Sequence, residues 1–265
     1  MARTKNAKRR PALRIVSLSP SCTSILCAIG AERNLAGVTK WCKDVAPVKR
    51  LPAFGDCWRL ESLEQIARLR PTLIVGSVPF HPETVAKILT LPTQFLALNP
   101  RSLADIYSDI ETLARLTNRA ANGRKLIADM KERFSRIRRA SPKKSQPIRV
   151  YAEAWPNPRI SSPPWVSELI ALCGAAMVPA PGARVSDEDV AAASPDVIVL
   201  AWAATGTRAN ARKTLANPKW QSLPAVRNRR VFIIRDELLN TPGPTLMDGA
   251  GEISHIINGT SGDSA

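Results

Sequence analysis

Two stretches of this chain share one pattern, and they lie on either side of a long segment with an apolar stripe. In the first, Glu64 precedes a proline by seven residues, and the apolar run 72–75 follows. In the second, Glu188 precedes a proline by the same interval, and the run 196–199 follows, with one Asp before three apolar residues. The repetition indicates two similar lobes related by a pseudo-two-fold axis, with a cleft between them.

Short β-rich runs alternate with helical segments through both halves of the chain. Alternating strands and helices favour a parallel sheet in each half, so the prediction is an α/β fold with two Rossmann-like lobes. The predicted strands are 14–18, 37–40, 72–75, 93–97, 148–153, 196–200 and 231–234, and the predicted helices are 20–29, 63–69, 82–89, 164–172, 187–193, 209–216 and 245–257.

The middle segment, 102–140, carries apolar residues at alternating steps of three and four. It contains no proline, and the next proline in the chain is Pro142. This spacing predicts one amphipathic helix. At full length it would span roughly 50 Å and would join the lobes rigidly. The predicted organisation is a basic disordered tail (1–12), an N-terminal lobe (13–101), a backbone helix (102–140), a C-terminal lobe (147–258) and a second disordered tail (259–265).

The formal net charge is +16, and much of the excess is concentrated in the first fourteen residues and in 133–149. Such clusters can bind nucleic acid or acidic membrane, but no aromatic residues interleave with them as single-strand binding requires, which favours solvated segments. No run reaches the roughly 20 apolar residues of a membrane span. The stretch 15–31 resembles an export signal, but six polar or proline residues interrupt it. We therefore expect no export signal and a cytoplasmic location.

The spacing of the cysteines and histidines favours a protein without a catalytic site or a metal site. Five cysteines occur, none in a C-x-x-C pair, and only two histidines accompany them, which argues against a zinc site or a disulfide framework. Neither histidine has a Ser or Cys partner at a catalytic spacing. His81 follows a strand and could meet a metal centre, although a solvated loop position is the simpler reading. We expect no catalytic residues, no metal site and no intrinsic cofactor, with an enzyme acting on a cofactor-like substrate as an alternative.

Four of the six tryptophans follow predicted strands or lie in loops next to them: Trp41, Trp58, Trp155 and Trp202. In open parallel sheets, ligands bind beyond the carboxyl ends of the strands. Flat aromatic walls suit a bulky, partly apolar ligand. The pattern predicts that these four side chains line the cleft, and ordinary packing is the alternative for each.

The order of several motifs resembles that of the vitamin B12-binding proteins of ABC importers, within the helical-backbone family of cobalamin, siderophore and haem receptors. The resemblance covers about 13–258 and rests on 14–21, 37–42, Trp58, 63–66, 71–75, 155–162, 169–174, 185–188 and 241–244. It implies a monomeric substrate-binding protein that holds a corrinoid, cobalamin or cobinamide, for an ABC importer. A cytoplasmic corrinoid carrier or sensor and a siderophore- or haem-binding protein are the alternatives.

The resemblance also assigns roles to individual residues. It implies ligand contacts near Pro20, Ser21, Trp41, Trp58, Ser77, Ile160 and Asp236. It further implies that Glu64 and Glu188, one on each lobe, dock onto basic residues of a permease, although an acid at a helix start also suits the helix dipole. Two departures bear on the ligand. Gly182 stands where the family can place an aromatic residue, and Asn240 stands where an arginine can approach the ligand.

Overall fold

The computed structural model describes residues 12–141 and 145–259. The N-terminal lobe contains a five-stranded sheet in the order β3-β2-β1-β4-β5, and every neighbouring pair is parallel. Its strands are β1 (Ile15–Ser17), β2 (Leu35–Thr39), β3 (Ala53–Phe54), β4 (Leu73–Ser77) and β5 (Gln94–Leu98).

The second sheet repeats this connectivity. Its strands are β6 (Ile148–Pro156), β7 (Arg159–Ser161), β8 (Ala175–Met177), β9 (Val197–Leu200) and β10 (Val231–Ile233). The parallel order β8-β6-β9-β10 corresponds to β2-β1-β4-β5 in the first sheet. The added strand β7 runs antiparallel to the second half of β6. The predicted α/β fold with two similar lobes is confirmed.

Helices connect the strands of each sheet. They are α1 (Pro20–Ala28), α2 (Leu63–Arg68), α3 (Pro82–Leu89), α4 (Leu103–Leu116), α5 (Ala120–Ala140), α6 (Pro164–Leu172), α7 (Asp187–Ala193), α8 (Ala211–Leu215), α9 (Pro224–Arg227), α10 (Asp236–Leu239) and α11 (Leu246–Asn258). Serines cap the two repeated helices: Ser62 Oγ accepts from Gln65 N at the start of α2, and Ser186 forms a capping box with Asp189 at the start of α7.

The prediction of one helix over 102–140 is wrong, because the segment divides into α4 and α5. Thr117 turns its hydroxyl back to the carbonyl oxygen of Leu113 at 2.7 Å, and Asn118 takes a left-handed conformation with φ 56°. The two helices then pack closely, since a Cβ built on Gly123 would lie 2.5 Å from Cβ of Ala114. Both helices bury their apolar residues in the same core, so the stripe continues through the break. The connecting helix α5 has 21 residues, a length of about 32 Å.

One hydrophobic core runs through both lobes. It joins residues of β1, β4, β6 and β9 with α4, α5, α6 and α11. The opposite face of each sheet has a separate cluster, which contains Ile66 and Ile74 in the N-terminal lobe and Tyr151 and Trp220 in the C-terminal lobe. The lobes therefore share their inner layer and differ in their outer layers.

The connecting helix α5 lies at the edge of the sheets away from the predicted site. Asn122 Nδ2 near its start donates to the carbonyl oxygen of Ile29, directly after α1, at 2.8 Å. Its other end leads to the amino end of β6. The carboxyl ends of the central strands are thus left for ligand contacts. In 12–141 and 145–259, no helix combines the length and hydrophobicity that a membrane crossing needs. The predicted tails lie almost wholly outside the described residues.

Candidate functional site

Five of the predicted ligand contacts lie at the carboxyl edge of the first sheet: Pro20, Ser21, Trp41, Trp58 and Ser77. Ser77 ends β4 and is buried, and its hydroxyl has no hydrogen-bond partner in the described structure. Buried hydroxyls nearly always have a partner, so this one is suited to a ligand group that reaches it when the cleft is filled.

Trp58 presents most of its ring to solvent, with 57% of its surface exposed. The loop that carries it is held by its backbone, since Thr84 Oγ1 on α3 donates to the carbonyl oxygen of Trp58 at 3.2 Å. His81 packs edge-to-face against the indole, with 5.4 Å between the ring centroids. Trp41 is half-buried, and the ammonium nitrogen of Lys40 lies over its indole, 5.1 Å from the ring centroid. Trp58 is therefore the more accessible of the two indoles.

A network of hydroxyl and thiol groups supports this wall from below. Cys42 Sγ lies 3.0 Å from Thr23 Oγ1 and 3.2 Å from Thr39 Oγ1, and Thr23 Oγ1 donates to Ser17 Oγ at 2.8 Å. These groups join the first turn of α1 to the ends of β1 and β2 without any charge. Burial raises the pKa of the Cys42 thiol. The thiol is thus held protonated, as a polar packing group.

Four predicted contacts lie at the carboxyl edge of the second sheet: Trp155, Ile160, Trp202 and Asp236. A β-bulge between Glu153 and Trp155 places these two side chains on opposite faces, because Glu153 pairs with Ser161 and Trp155 pairs with Ile160. Trp155 is 41% exposed and donates from Nε1 to the carbonyl oxygen of Asn157 at 2.8 Å. The bulge thus turns an aromatic ring away from the buried layer.

Trp202 is fixed by a carboxylate that the sequence reading missed. Its Nε1 donates to Glu153 Oε1 at 2.8 Å, and Glu153 is fully buried. The other carboxylate oxygen accepts from Tyr151 Oη and Arg159 Nη1, both at 2.7 Å. Glu153 lies two positions after Tyr151 on β6. An acidic side chain that is buried in a strand needs hydrogen-bonding or charged partners.

Asp236 is the first residue of α10, and burial together with the neighbouring Glu237 raises the pKa of its carboxyl group to about 6. Arg235 pairs with Glu237 at 2.8 Å and not with Asp236. The carboxyl group can therefore act as either donor or acceptor near neutral pH.

The burial of the six tryptophans separates the four predicted contacts from the other two. Trp165 and Trp220 are buried in the core, whereas the four predicted ones are exposed or half-buried. A cavity of about 530 Å³ lies next to the second group of contacts, and it is lined by Pro156, Asn157, Pro158, Arg159, Arg184, Val185, Ser186 and Asp187.

The sequence profile of the periplasmic binding protein family matches residues 15–238, which is most of the chain. The chain belongs to this family. It is 29% identical over 255 residues to the vitamin B12-binding protein of Vibrio cholerae serotype O1, with 93% of this chain and 90% of that protein covered.

Two solved structures of periplasmic binding proteins share the fold over nearly the whole chain. The vitamin B12 binding protein BtuF of Vibrio cholerae superimposes with a TM-score of 0.74 at 25% identity, with 94% of this chain and 97% of that chain covered. A haem binding protein from Pseudomonas aeruginosa superimposes with a TM-score of 0.80 at 22% identity, with 95% of each chain covered. The family is one of solute-binding proteins, and proteins with this fold are named for vitamin B12 and for haem.

The two departures from the family pattern have local structural reasons. Gly182 takes φ +66°, and a Cβ there would lie 3.2 Å from Pro164 Cδ, so the backbone favours glycine at this position. Asn240 donates from Nδ2 to the carbonyl oxygen of Ala201 at 2.7 Å, and its own Oδ1 is buried without a partner. Neither position contributes an aromatic ring or a positive charge to the site.

Glu64 and Glu188 occupy the second position of α2 and α7, the two repeated helices, and both are exposed. Helices that precede a parallel strand begin near the carboxyl edge, so both acids lie on the ligand side of their lobes. Glu188 pairs with Lys219 at 2.6 Å, and this contact lowers the pKa of its carboxyl group. The Glu188 carboxylate is therefore already paired within the chain, whereas no ion pair of Glu64 occurs among the described residues.

The remaining candidates show no arrangement for metal binding. Among 12–141 and 145–259, no three His, Cys, Asp or Glu side chains are grouped to hold an ion. Burial raises the pKa of Cys27 to about 11 and that of Cys57 and Cys173 to about 12, and it raises that of Cys22 as well. The cysteines are thus neutral at physiological pH.

Proposed function

We propose that this protein captures a corrinoid, cobalamin or cobinamide, between its two lobes and delivers it to an ABC importer. The observation that carries the proposal is the division of the tryptophans. Trp41, Trp58, Trp155 and Trp202 are open at the carboxyl edges, and the other two lie in the core. The likeness to the Vibrio cholerae protein named for vitamin B12 supports the same ligand class.

The chemistry of the two walls suits a large macrocycle with neutral polar side groups. Indole faces pack against flat apolar surface, while a few polar groups fix the orientation. Ser77 offers an unpaired hydroxyl on one wall, and Asp236 offers a carboxyl group on the other. Carboxamide side groups of a corrinoid can donate to or accept from both. This role requires binding and release, and we infer that the protein catalyses no reaction.

Haem is a second candidate, and His81 is the observation in its favour. Its imidazole packs against Trp58 beside the first wall, 5.4 Å from the indole centroid. A neutral imidazole nitrogen is a common axial ligand of haem iron. Coordination of haem iron by His81 would change the visible absorbance of the haem, so absorbance distinguishes haem binding from corrinoid binding.

The test is a titration of the purified protein with cyanocobalamin, dicyanocobinamide and haemin in parallel. Tryptophan fluorescence and visible absorbance report binding independently. The proposal predicts saturable quenching by a corrinoid at micromolar concentration or below, with weaker binding of haemin. Quenching by haemin alone, with a shifted Soret band that His81→Ala abolishes, would favour the second candidate. An absence of quenching by all three would reject the binding function.

Delivery to an importer is the further part of this proposal. It is supported by Glu64 and Glu188, which sit at equivalent places on the two lobes. Two equivalent acids fit a permease with two-fold symmetry. Cell fractionation tests the placement: recovery outside the inner membrane agrees with import, and recovery in the cytoplasm supports a corrinoid carrier or sensor instead.

A further inference from the structure

The C-terminal lobe contains a continuous set of polar contacts around the buried carboxylate of Glu153, which begins at a proposed ligand wall and ends at a proposed docking helix. Trp202 Nε1 donates to Glu153 Oε1 at 2.8 Å, and Glu153 Oε2 accepts from Arg159 Nη1 at 2.7 Å. Arg159 Nε donates to Asp187 Oδ1 at 2.5 Å. Asp187 begins α7 and directly precedes Glu188.

Arg159 is held in one position by three groups. Its guanidinium lies between the two carboxylates and 4.4 Å from the ring centroid of Trp220. Trp220 in turn donates from Nε1 to the carbonyl oxygen of Asp187 at 3.1 Å. A planar guanidinium that contacts two carboxylates and an aromatic ring resists reorientation, because any rotation breaks several charged hydrogen bonds together.

The corresponding place in the N-terminal lobe lacks this connection. Helix α2 has Leu63 where α7 has Asp187, and Glu64 stands where α7 has Glu188. The layer beneath α2 is apolar, with Ile66 and Ile74 in its cluster. The two docking acids are therefore equivalent in topology but are attached to their lobes in different ways.

We propose that Glu153 and Arg159 are positioning residues that connect Trp202 to α7, so that a ligand seated on Trp202 changes the stability of the helix that carries Glu188. This inference rests on the proposed function. Contact with the indole restricts Trp202, Trp202 restricts the carboxylate of Glu153, and Arg159 passes the restriction to Asp187. The C-terminal docking acid thereby responds to the ligand, while the N-terminal one serves as a constant contact.

Hydrogen exchange measured by mass spectrometry, with and without saturating cyanocobalamin, tests this inference without a permease. In the wild-type protein, we expect the ligand to slow exchange in α7 by about fivefold or more, a typical coupling between sites, and to leave α2 nearly unchanged. The N-terminal lobe thus provides an internal reference.

Two matched variants each remove one ion pair from the start of α7. Asp187→Ala breaks the contact with Arg159 and leaves Arg159 paired with Glu153, so the buried carboxylate keeps its partner. Lys219→Ala breaks the exposed pair with Glu188, which has no connection to Glu153. We expect Asp187→Ala to abolish the ligand-induced slowing in α7 and Lys219→Ala to retain it, with each variant saturated with cyanocobalamin according to its own titration.

Every outcome bears on one of the two proposals. If the wild-type protein binds no corrinoid, the proposed function fails first. If it binds one and α7 does not respond, or if α7 responds equally in wild type and Asp187→Ala, the inference is overturned. If both variants lose the response, α7 is sensitive to any lost ion pair, and the specific role of Arg159 is rejected. Loss in Asp187→Ala alone supports it.

Discussion

The two lobes share one topology but support their proposed ligand walls by different means. In the N-terminal lobe, neutral hydroxyl and thiol groups around Cys42 support the wall, and Trp58 stands exposed above it. In the C-terminal lobe, the fully buried carboxylate of Glu153 fixes Trp202 and is itself compensated by Arg159.

This difference shows that a repeated fold does not imply a repeated energetic design. Neutral hydrogen bonds contribute modestly and tolerate loss, whereas removal of one member of a buried ion pair exposes the other to a large desolvation cost. The C-terminal wall is therefore the more rigid and the more vulnerable to substitution.

Arg159→Met should be the most damaging single change in the C-terminal lobe. It leaves Glu153 buried with only neutral donors, which typically costs about 3–5 kcal/mol of unfolding free energy. Urea unfolding measures the effect, and Arg184→Met, at an exposed arginine on the rim of the same cavity, is the control. A loss of unfolding free energy below 1 kcal/mol in Arg159→Met would show that the pair of Glu153 and Arg159 does not stabilise the C-terminal lobe.

Gly76→Ala should be the corresponding steric change in the N-terminal lobe. A Cβ on Gly76 would lie 2.2 Å from Cys57 Sγ, so overpacking of about 1–3 kcal/mol is expected. Cys57→Ala removes the clashing atom, and the double variant should be more stable than the sum of the single effects predicts. Strict additivity in a double-mutant cycle would place the strain elsewhere.

Trp58→Ala and Trp202→Ala should separate binding from stability. Both should weaken corrinoid binding by about 1–3 kcal/mol, the usual range for an aromatic contact at a hot spot. Only Trp202→Ala should also lower the free energy of unfolding, because Trp58 is mostly exposed and Trp202 pairs with Glu153. Unchanged affinity in Trp58→Ala, measured by fluorescence titration, would remove that residue from the site.

Asp236→Asn should stabilise the free protein at neutral pH but not at acid pH. The carboxyl pKa is raised to about 6 in the fold, from about 3.9 when unfolded, so the native state holds the proton more tightly. The wild type therefore loses stability as the pH rises from about 4 to 6, whereas the Asp236→Asn variant does not. We expect a gain in Tm of several degrees at pH 7 and none at pH 3.5. Equal gains at both pH values would contradict this origin.

Glu64→Ala combined with Glu188→Ala should have the smallest effect on the isolated protein. Both side chains are exposed, so neither unfolding nor ligand affinity should change measurably. Uptake of cyanocobalamin by reconstituted permease vesicles should fall. A tenfold drop in ligand affinity would assign the two acids to the ligand site.

Much of the fold follows from the sequence because its signals are local. The bounds predicted for the helices 164–172 and 187–193 agree with α6 and α7, since prolines or a serine–aspartate capping box mark where they begin. The break between α4 and α5 covers only 117–119 and depends on the left-handed backbone of Asn118, a conformation that asparagine favours but that one residue does not predict against a continuous apolar stripe. The apolar stripe continues through it and conceals it.

The candidate site was less predictable, because its contacts join residues that are distant in sequence. Trp202 could be placed at a strand end from its position, but its partner Glu153 lies 49 residues earlier. The pair between Arg159 and Asp187 spans 28 residues and depends on β7, a strand too short to recognise. Tryptophan positions can be read from local patterns, whereas the charges that orient them require the tertiary fold.

The shared inner core has a consequence for how the molecule comes apart. Because α4, α5 and α11 share one core cluster with strands of both sheets, neither lobe can open its core without exposing that of the other. The protein should therefore melt in a single cooperative transition, unlike a pair of domains on a flexible linker. A fragment cut between the lobes would leave a strip of apolar surface unpaired, and it should aggregate where the intact chain stays monodisperse.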